Sequence, residues 1–188
     1  MSEGAETVLV VDDEPSIVEM FRTWLEPTYD VRTVTDGPTA LETVDDDVDL
    51  VLLDRRMPRR NGDEVLAGLR EQGHDVPVVM VSAVPPDVDV IDAPLDSYLV
   101  KPVDREALQR AVAAGLLTAS LSAETREYYA NAVKRSMLEA TKLRGELRTS
   151  DAYRSLVDDL EAAELSGSKR TGRMTQDLTG DVYRDIES

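Results

Sequence analysis

The stretch Asp49-Leu50-Val51-Leu52-Leu53-Asp54 decides how the chain is read. A short, nearly continuous apolar run ending on a carboxylate reads as a strand buried on both faces, because a half-exposed strand would alternate apolar and polar residues. Two other stretches follow the same plan. Val8-Leu9-Val10-Val11 ends on Asp12-Asp13, and Val76-Pro77-Val78-Val79-Met80-Val81 ends on Ser82. Laid side by side, these strands bring three carboxylates and a hydroxyl to one edge of a sheet. Acidic side chains are rarely buried without a partner charge or a metal. Two of them about 4 Å apart repel by about 4 kcal/mol at an effective dielectric of about 20, so the cluster calls for a cation.

Outward from these runs, residues 6–117 alternate strand and helix signals, the pattern of a parallel α/β sheet. Pro15 stands where the first turn of a helix accepts proline, and Ile17, Val18, Phe21, Trp24 and Leu25 follow at helical spacing. A second strand is predicted around Tyr29–Val34. Asn61-Gly62 turns into a helix carrying Val65, Leu66 and Leu69, and Ser97–Val100 is a brief fifth strand. Asp104 caps a helix with Leu108, Val112 and Leu116 on its buried stripe. Between Ser82 and Ser97 the signal is weak. Pro85-Pro86 and Pro94 bracket a run of Asp and Val, poor helix formers, so at most a short helical turn is expected.

Beyond residue 118 the pattern turns helical. Tyr129, Val133, Met137, Ala140, Leu143 and Leu147 step by three or four, and Ser150 or Asp151 is the candidate cap of a second stripe made by Tyr153, Leu156, Val157, Leu160 and Ala163. The two stripes predict an antiparallel helical hairpin. From Ser166 the chain is polar and glycine-punctuated, which predicts a flexible tail. The expected division is therefore 1–118, 119–165 and 166–188.

Composition limits the function. The formal net charge is −17, and residues 1–118 hold 25 acidic and 10 basic side chains while residues 119–188 hold 13 and 11. Such charge argues against broad contact with nucleic-acid phosphates. Only Lys101, Lys134, Lys142 and Lys169 are lysine, and an acidic, lysine-poor surface points to a high-salt, halophilic interior. Cysteine is absent, which removes disulfides and thiolate metal sites. No apolar run is long enough to span a membrane, and Met1–Glu6 lacks the basic and apolar parts of a signal peptide, so a cytoplasmic location is expected. His74, the sole histidine, falls in a turn near Gly73 and reads as a surface residue.

Taken together, Val10-Val11-Asp12-Asp13-Glu14-Pro15, Leu53-Asp54-x-x-Met57-Pro58-x-x-x-Gly62, Ser82-Ala83 and Tyr98-x-x-Lys101-Pro102 resemble the receiver domain of two-component response regulators. The resemblance covers roughly residues 6–117. It implies a flavodoxin-like, doubly wound, five-stranded parallel sheet in the order 2-1-3-4-5, with ligands at the switch point between strands 1 and 3. It also implies Mg²⁺ held by Asp13, Asp54 and the backbone carbonyl of Arg56, with Asp12 assisting through water. Asp54 would be the phosphoacceptor, Lys101 a phosphoryl contact aimed by a cis bond to Pro102, and Ser82 a donor to the new phosphate. Tyr98 would be the switch that swings from solvent into the space Ser82 leaves.

The implied partner is a cognate histidine kinase, and the protein would signal rather than turn over a substrate. An aspartate-nucleophile phosphatase would need an acid at position 56, where Arg56 stands. Arg56 is instead expected to pair with phosphate or acidic neighbours and to alter autodephosphorylation. Glu127–Ala132 and Tyr153–Leu160 resemble the HalX-type helical domain found after receivers in haloarchaea. That unit is expected to engage a protein partner or a second copy of the chain. The alternative is a phosphorylation-controlled, DNA-binding transcriptional regulator using the helix Glu124–Arg148, which holds six basic and four acidic residues. A charge-laced, solvated face is the preferred reading of that helix.

Overall fold

The computed structural model describes residues 4–165; the predicted tail, 166–188, lies outside the described residues. Five strands, β1 (Thr7–Val11), β2 (Asp30–Val34), β3 (Leu50–Asp54), β4 (Val78–Ser82) and β5 (Ser97–Val100), form one parallel sheet in the order β2-β1-β3-β4-β5. Helices α1 (Pro15–Leu25), α2 (Gly37–Thr43), α3 (Gly62–Glu71) and α4 (Arg105–Ala119) cover it, and α5 (Ala123–Thr141), α6 (Arg144–Thr149) and α7 (Asp151–Leu165) follow. This is the sheet order and the layering that the receiver-like motifs imply.

Alternate residues of each strand feed two cores. Val8, Val10, Leu50, Leu52, Val79, Val81 and Leu99 meet α1 and α4 through Phe21, Leu25, Leu108 and Val112. Leu9, Val11, Val51, Leu53, Val78, Met80 and Tyr98 face the other way, toward Val65, Leu66 and Leu69 of α3. Local chemistry sets the helix starts. Pro15 occupies the first turn of α1, Asn61 and Glu64 form a reciprocal capping box on α3, and the Asp104 carboxylate accepts from the Ala107 N–H at 2.7 Å. Each arrangement satisfies N–H groups that the first helical turn leaves unpaired.

Between β4 and β5 there is only a single turn of 3₁₀ helix, Val88–Val90, in keeping with the proline-bracketed sequence. The space a longer helix would fill is taken by α5. Met137, Leu138, Leu147 and Tyr153 belong to the same core as Val90, Leu95 and Tyr98. Polar contacts tie α5 down along its length. Arg126 bonds the Asp96 carboxylate (2.7 Å) and the Asp75 carbonyl (2.7 Å), Lys134 donates to the Ile91 and Ala93 carbonyls at 2.9 and 2.7 Å, and Lys142 pairs with Asp87 at 2.9 Å. The C-terminal helices thus complete the second core rather than standing clear of it.

One detail of the helical reading changes. The stripe predicted to run through Leu143 to Leu147 breaks after Thr141, because Lys142 and Leu143 are extended (ψ 150° and 137°). Leu143 is 74% exposed instead of buried, and Leu147 reaches the core from the separate helix α6. Ser150 is the residue that caps α7, its hydroxyl accepting from the Tyr153 N–H at 3.2 Å.

Candidate functional site

The sheet order reverses between β1 and β3, and in such sheets the crevice at the carboxyl ends of the strands is where ligands bind. Val11 of β1 is in register with Leu53 of β3, which puts Asp12 beside Asp54. Both are buried, 2% and 5% exposed. The Lys101 ammonium lies between them, 2.7 Å from Asp12 Oδ2 and 2.6 Å from Asp54 Oδ1. The turn that delivers it is fixed by the Lys101 N–H donating to the Ser82 carbonyl at 2.7 Å and by a cis Lys101–Pro102 bond. Ser82, fully buried, ends β4 alongside.

The loop after Asp54 folds back over it. The Arg56 N–H donates to Asp54 Oδ2 at 2.6 Å, and the Gly62 N–H donates to the Arg55 carbonyl at 2.9 Å. A Cβ at position 62 would stand 2.5 Å from the Asp54 carbonyl oxygen and 2.8 Å from Arg55 Cα. Glycine at 62 is therefore required by a close approach of backbone to backbone.

Burial pushes the Asp12 carboxyl above its usual range, and the hydrogen bond from Lys101 only partly offsets that. Burial works against the Lys101 charge too, but its bonds to Asp12 and Asp54 outweigh it and hold the ammonium above its ordinary value. A cation is thus firmly seated between two carboxylates.

The other predicted site residues are placed as follows. Asp13 is half-buried at the mouth, and the Arg56 side chain is exposed at the rim. Among the described residues no three acidic or histidine side chains are gathered as a ready-made metal cage. The buried pair Asp12 and Asp54 with Asp13 at the mouth still forms an all-oxygen donor set, the chemistry that suits Mg²⁺. Tyr98 does not face solvent as the sequence predicts for the resting switch. It is 1% exposed, and its hydroxyl donates to the Val84 carbonyl at 2.7 Å. His74 lies in the turn after α3, its N–H on the Leu69 carbonyl and its own carbonyl accepting from Arg70.

Arg55 is a site residue that the sequence alone did not reveal. Its guanidinium bonds Asp63 at 3.0 Å and pairs with Asp89 in the 3₁₀ turn, and it also interacts with Tyr98. It joins the residue after Asp54 to the segment beneath α5. The signal was present only as an arginine directly after a buried aspartate, without its distant partners.

The fold and pocket define a class: doubly wound α/β proteins with an acidic switch-point pocket and a lysine on a cis-prolyl turn. The comparisons with known proteins make the class specific. Residues 8–113 match the response regulator receiver domain family, and residues 119–177 match the HalX domain. The chain belongs to the response regulator receiver family, with a HalX domain following.

A provisionally named transcriptional regulator of Haloferax volcanii is 38% identical over 188 residues, covering 97% of this chain and 32% of that protein. The transcriptional regulatory protein CpxR of Escherichia coli is 38% identical over 108 residues, 55% of this chain and 46% of CpxR. The chain therefore spans about a third to a half of the length of these relatives. Among solved structures, TrrA of Thermotoga maritima in complex with Mg²⁺ and beryllofluoride is 32% identical, with a TM-score of 0.54 over 59% of this chain and 99% of that one. The beryllofluoride-activated DrrB receiver domain is 25% identical, with a TM-score of 0.55 over 60% of this chain and 98% of that one.

Proposed function

We propose that this chain is a phosphorelay response regulator: Asp54 accepts a phosphoryl group from the phosphohistidine of a kinase, and the C-terminal helices carry the signal to a protein partner. The reading rests chiefly on one observation, the two buried carboxylates Asp12 and Asp54 bridged by Lys101 at the switch point. In the transfer, an Asp54 carboxylate oxygen attacks phosphorus. An O–P bond forms, the N–P bond breaks, and the electron pair returns to the histidine ring, which takes up a proton. Hydrolysis later ends the signal when water attacks phosphorus and releases inorganic phosphate.

Asp13, Asp54 and the Arg56 carbonyl would hold Mg²⁺, with Asp12 assisting through water; the ion would offset charge on the phosphoryl oxygens. Lys101 exchanges a carboxylate for a phosphoryl oxygen as its partner and remains a compact positive charge in the pocket. Ser82 is positioned to donate to a second oxygen, and the buried setting strengthens both contacts. The product carries about −1.5 to −2 charge and new acceptors, enough to shift a two-state equilibrium.

A DNA-reading role for α5 has less support. Three of the basic residues that made it slightly positive, Arg126, Lys134 and Lys142, bond to the receiver part instead of facing outward. Mass spectrometry after incubation with acetyl phosphate and Mg²⁺ tests the main reading. One phosphoryl adduct is expected on the native chain and none on Asp54→Asn. An unmodified native chain, or an adduct that persists in the variant, would refute it.

A further inference from the structure

Two of the four lysines in the chain hold one short piece of backbone, the 3₁₀ turn Val88–Val90 and its flanks. Lys142, at the end of α5, pairs with Asp87 just before the turn. Lys134, further back in α5, donates to the Ile91 and Ala93 carbonyls just after it. Val90, 1% exposed, packs into the core that Met137 and Leu138 complete. Helix α5 therefore seats the turn from one side, and the phosphoacceptor strand grips it from the other. Side chains alternate along a strand, so Arg55 follows Leu53 on the face of β3 that fills this same core. Its guanidinium pairs with Asp89 inside the turn and with Asp63 in the first turn of α3, and Tyr98 is a further contact.

The hold of Arg55 matters because of its neighbours. Asp54 precedes it, and the Arg56 N–H that follows donates to Asp54 Oδ2 at 2.6 Å. The Arg55 backbone is itself pinned, its N–H on the Val81 carbonyl and its carbonyl accepting from Gly62, both at 2.9 Å. Two further grips through the side chain make the 54–62 loop a preformed cradle, and a preformed site binds more tightly because less order has to be created on binding. We propose that the 3₁₀ turn is a mechanical link between the pocket and α5: Arg55 is a positioning residue for the phosphoacceptor, and the seating of α5 on Asp87 sets how firmly Arg55 is held. The link rests on Asp54 being the phosphoacceptor. It runs in both directions, because coupling between two sites is reciprocal. A partner that draws the end of α5 away loosens the pocket, and a filled pocket stiffens the turn under α5.

Lys142→Gln tests the link gently, since the pair it breaks is partly exposed. Calorimetric titration of the full chain with beryllofluoride and Mg²⁺ is expected to show binding about twofold to fivefold weaker in this variant, the range that a partly exposed ion pair can supply. Asp87→Asn should match it. In an Arg55→Gln background the Lys142 change should have no further effect, the non-additivity that marks a shared network and that simple structural damage does not produce. Asp89→Ala removes the same contact if Arg55→Gln fails to fold. Amide exchange across Val88–Val90 should slow on saturation in the native chain and stay unchanged in Arg55→Gln. A Lys142→Gln chain that binds as tightly as the native one or more tightly, a Lys142 effect that persists in full without Arg55, or exchange in the native turn that is indifferent to beryllofluoride overturns the link while leaving the phosphoacceptor in place. A native chain with no Mg²⁺-dependent affinity for beryllofluoride overturns both.

Discussion

Asp12 is a carboxylate that the fold holds at a cost. Its burial raises its pKa above 3.8 even with Lys101 beside it. The folded chain therefore binds a proton at a pH where the unfolded chain has already lost one, and stability falls as pH rises through that window. At neutral pH the penalty is fully in force; on acidification through the folded pKa toward 3.8 it is relieved. Asp12→Asn should accordingly raise the urea midpoint at neutral pH, with the advantage shrinking as the pH is lowered. A variant less stable than the native chain at neutral pH would contradict this. Strain of this kind at a functional pocket is a common exchange of stability for activity.

The residues of the pocket were legible because each ends a strand, and a strand end is marked by where the apolar run stops. What a strand end cannot reveal is which side chains meet across it. The seat of Lys101 between two carboxylates, the inward position of Tyr98 and the grip of Arg55 on Asp63 and Asp89 all depend on contacts between segments far apart in sequence.

At the scale of the element, α5 is where sequence and structure diverge most. Its periodicity gave a helix, and its charges looked like a solvated face. Yet Arg126 and Lys134 point inward. Lys134 is 5% exposed, and burial lowers its pKa, while its two carbonyl partners satisfy the ammonium. Arg126 forks onto Asp96, whose carboxylate also accepts from the Val78 N–H at 2.8 Å. Removing one partner of a buried pair leaves the other uncompensated. Arg126→Ala should therefore cost about 3 kcal/mol, read as a lower urea midpoint. A cost near that of an exposed ion pair, under about 1 kcal/mol, would mean that α5 is only loosely attached. The weak segment between β4 and β5 was legible, since proline and aspartate argue locally against helix. That a helix from further along the chain takes the vacated place was not, because no local pattern encodes it.

For the whole molecule, charge is the dominant condition. A net charge of −17 makes the compact state repel itself. The reach of that repulsion shortens from about 10 Å in 0.1 M salt to about 3 Å in 1 M. The exposed ion pairs weaken over the same range but contribute little individually, so relief of repulsion should win. The melting temperature is expected to rise by several degrees between these conditions, as followed by circular dichroism; a fall would show that attractive pairs outweigh repulsion.

The shared core also bears on how the protein is born. Translation delivers β5 before α5, so while the ribosome is still adding residues beyond 119, Val90, Leu95 and Tyr98 lack the part of their cover that Met137 and Leu138 supply. The nascent chain presents a sticky half-finished face until Met137 and Leu138 emerge. This is the interval in which a chaperone, or a misplaced neighbour, would find it.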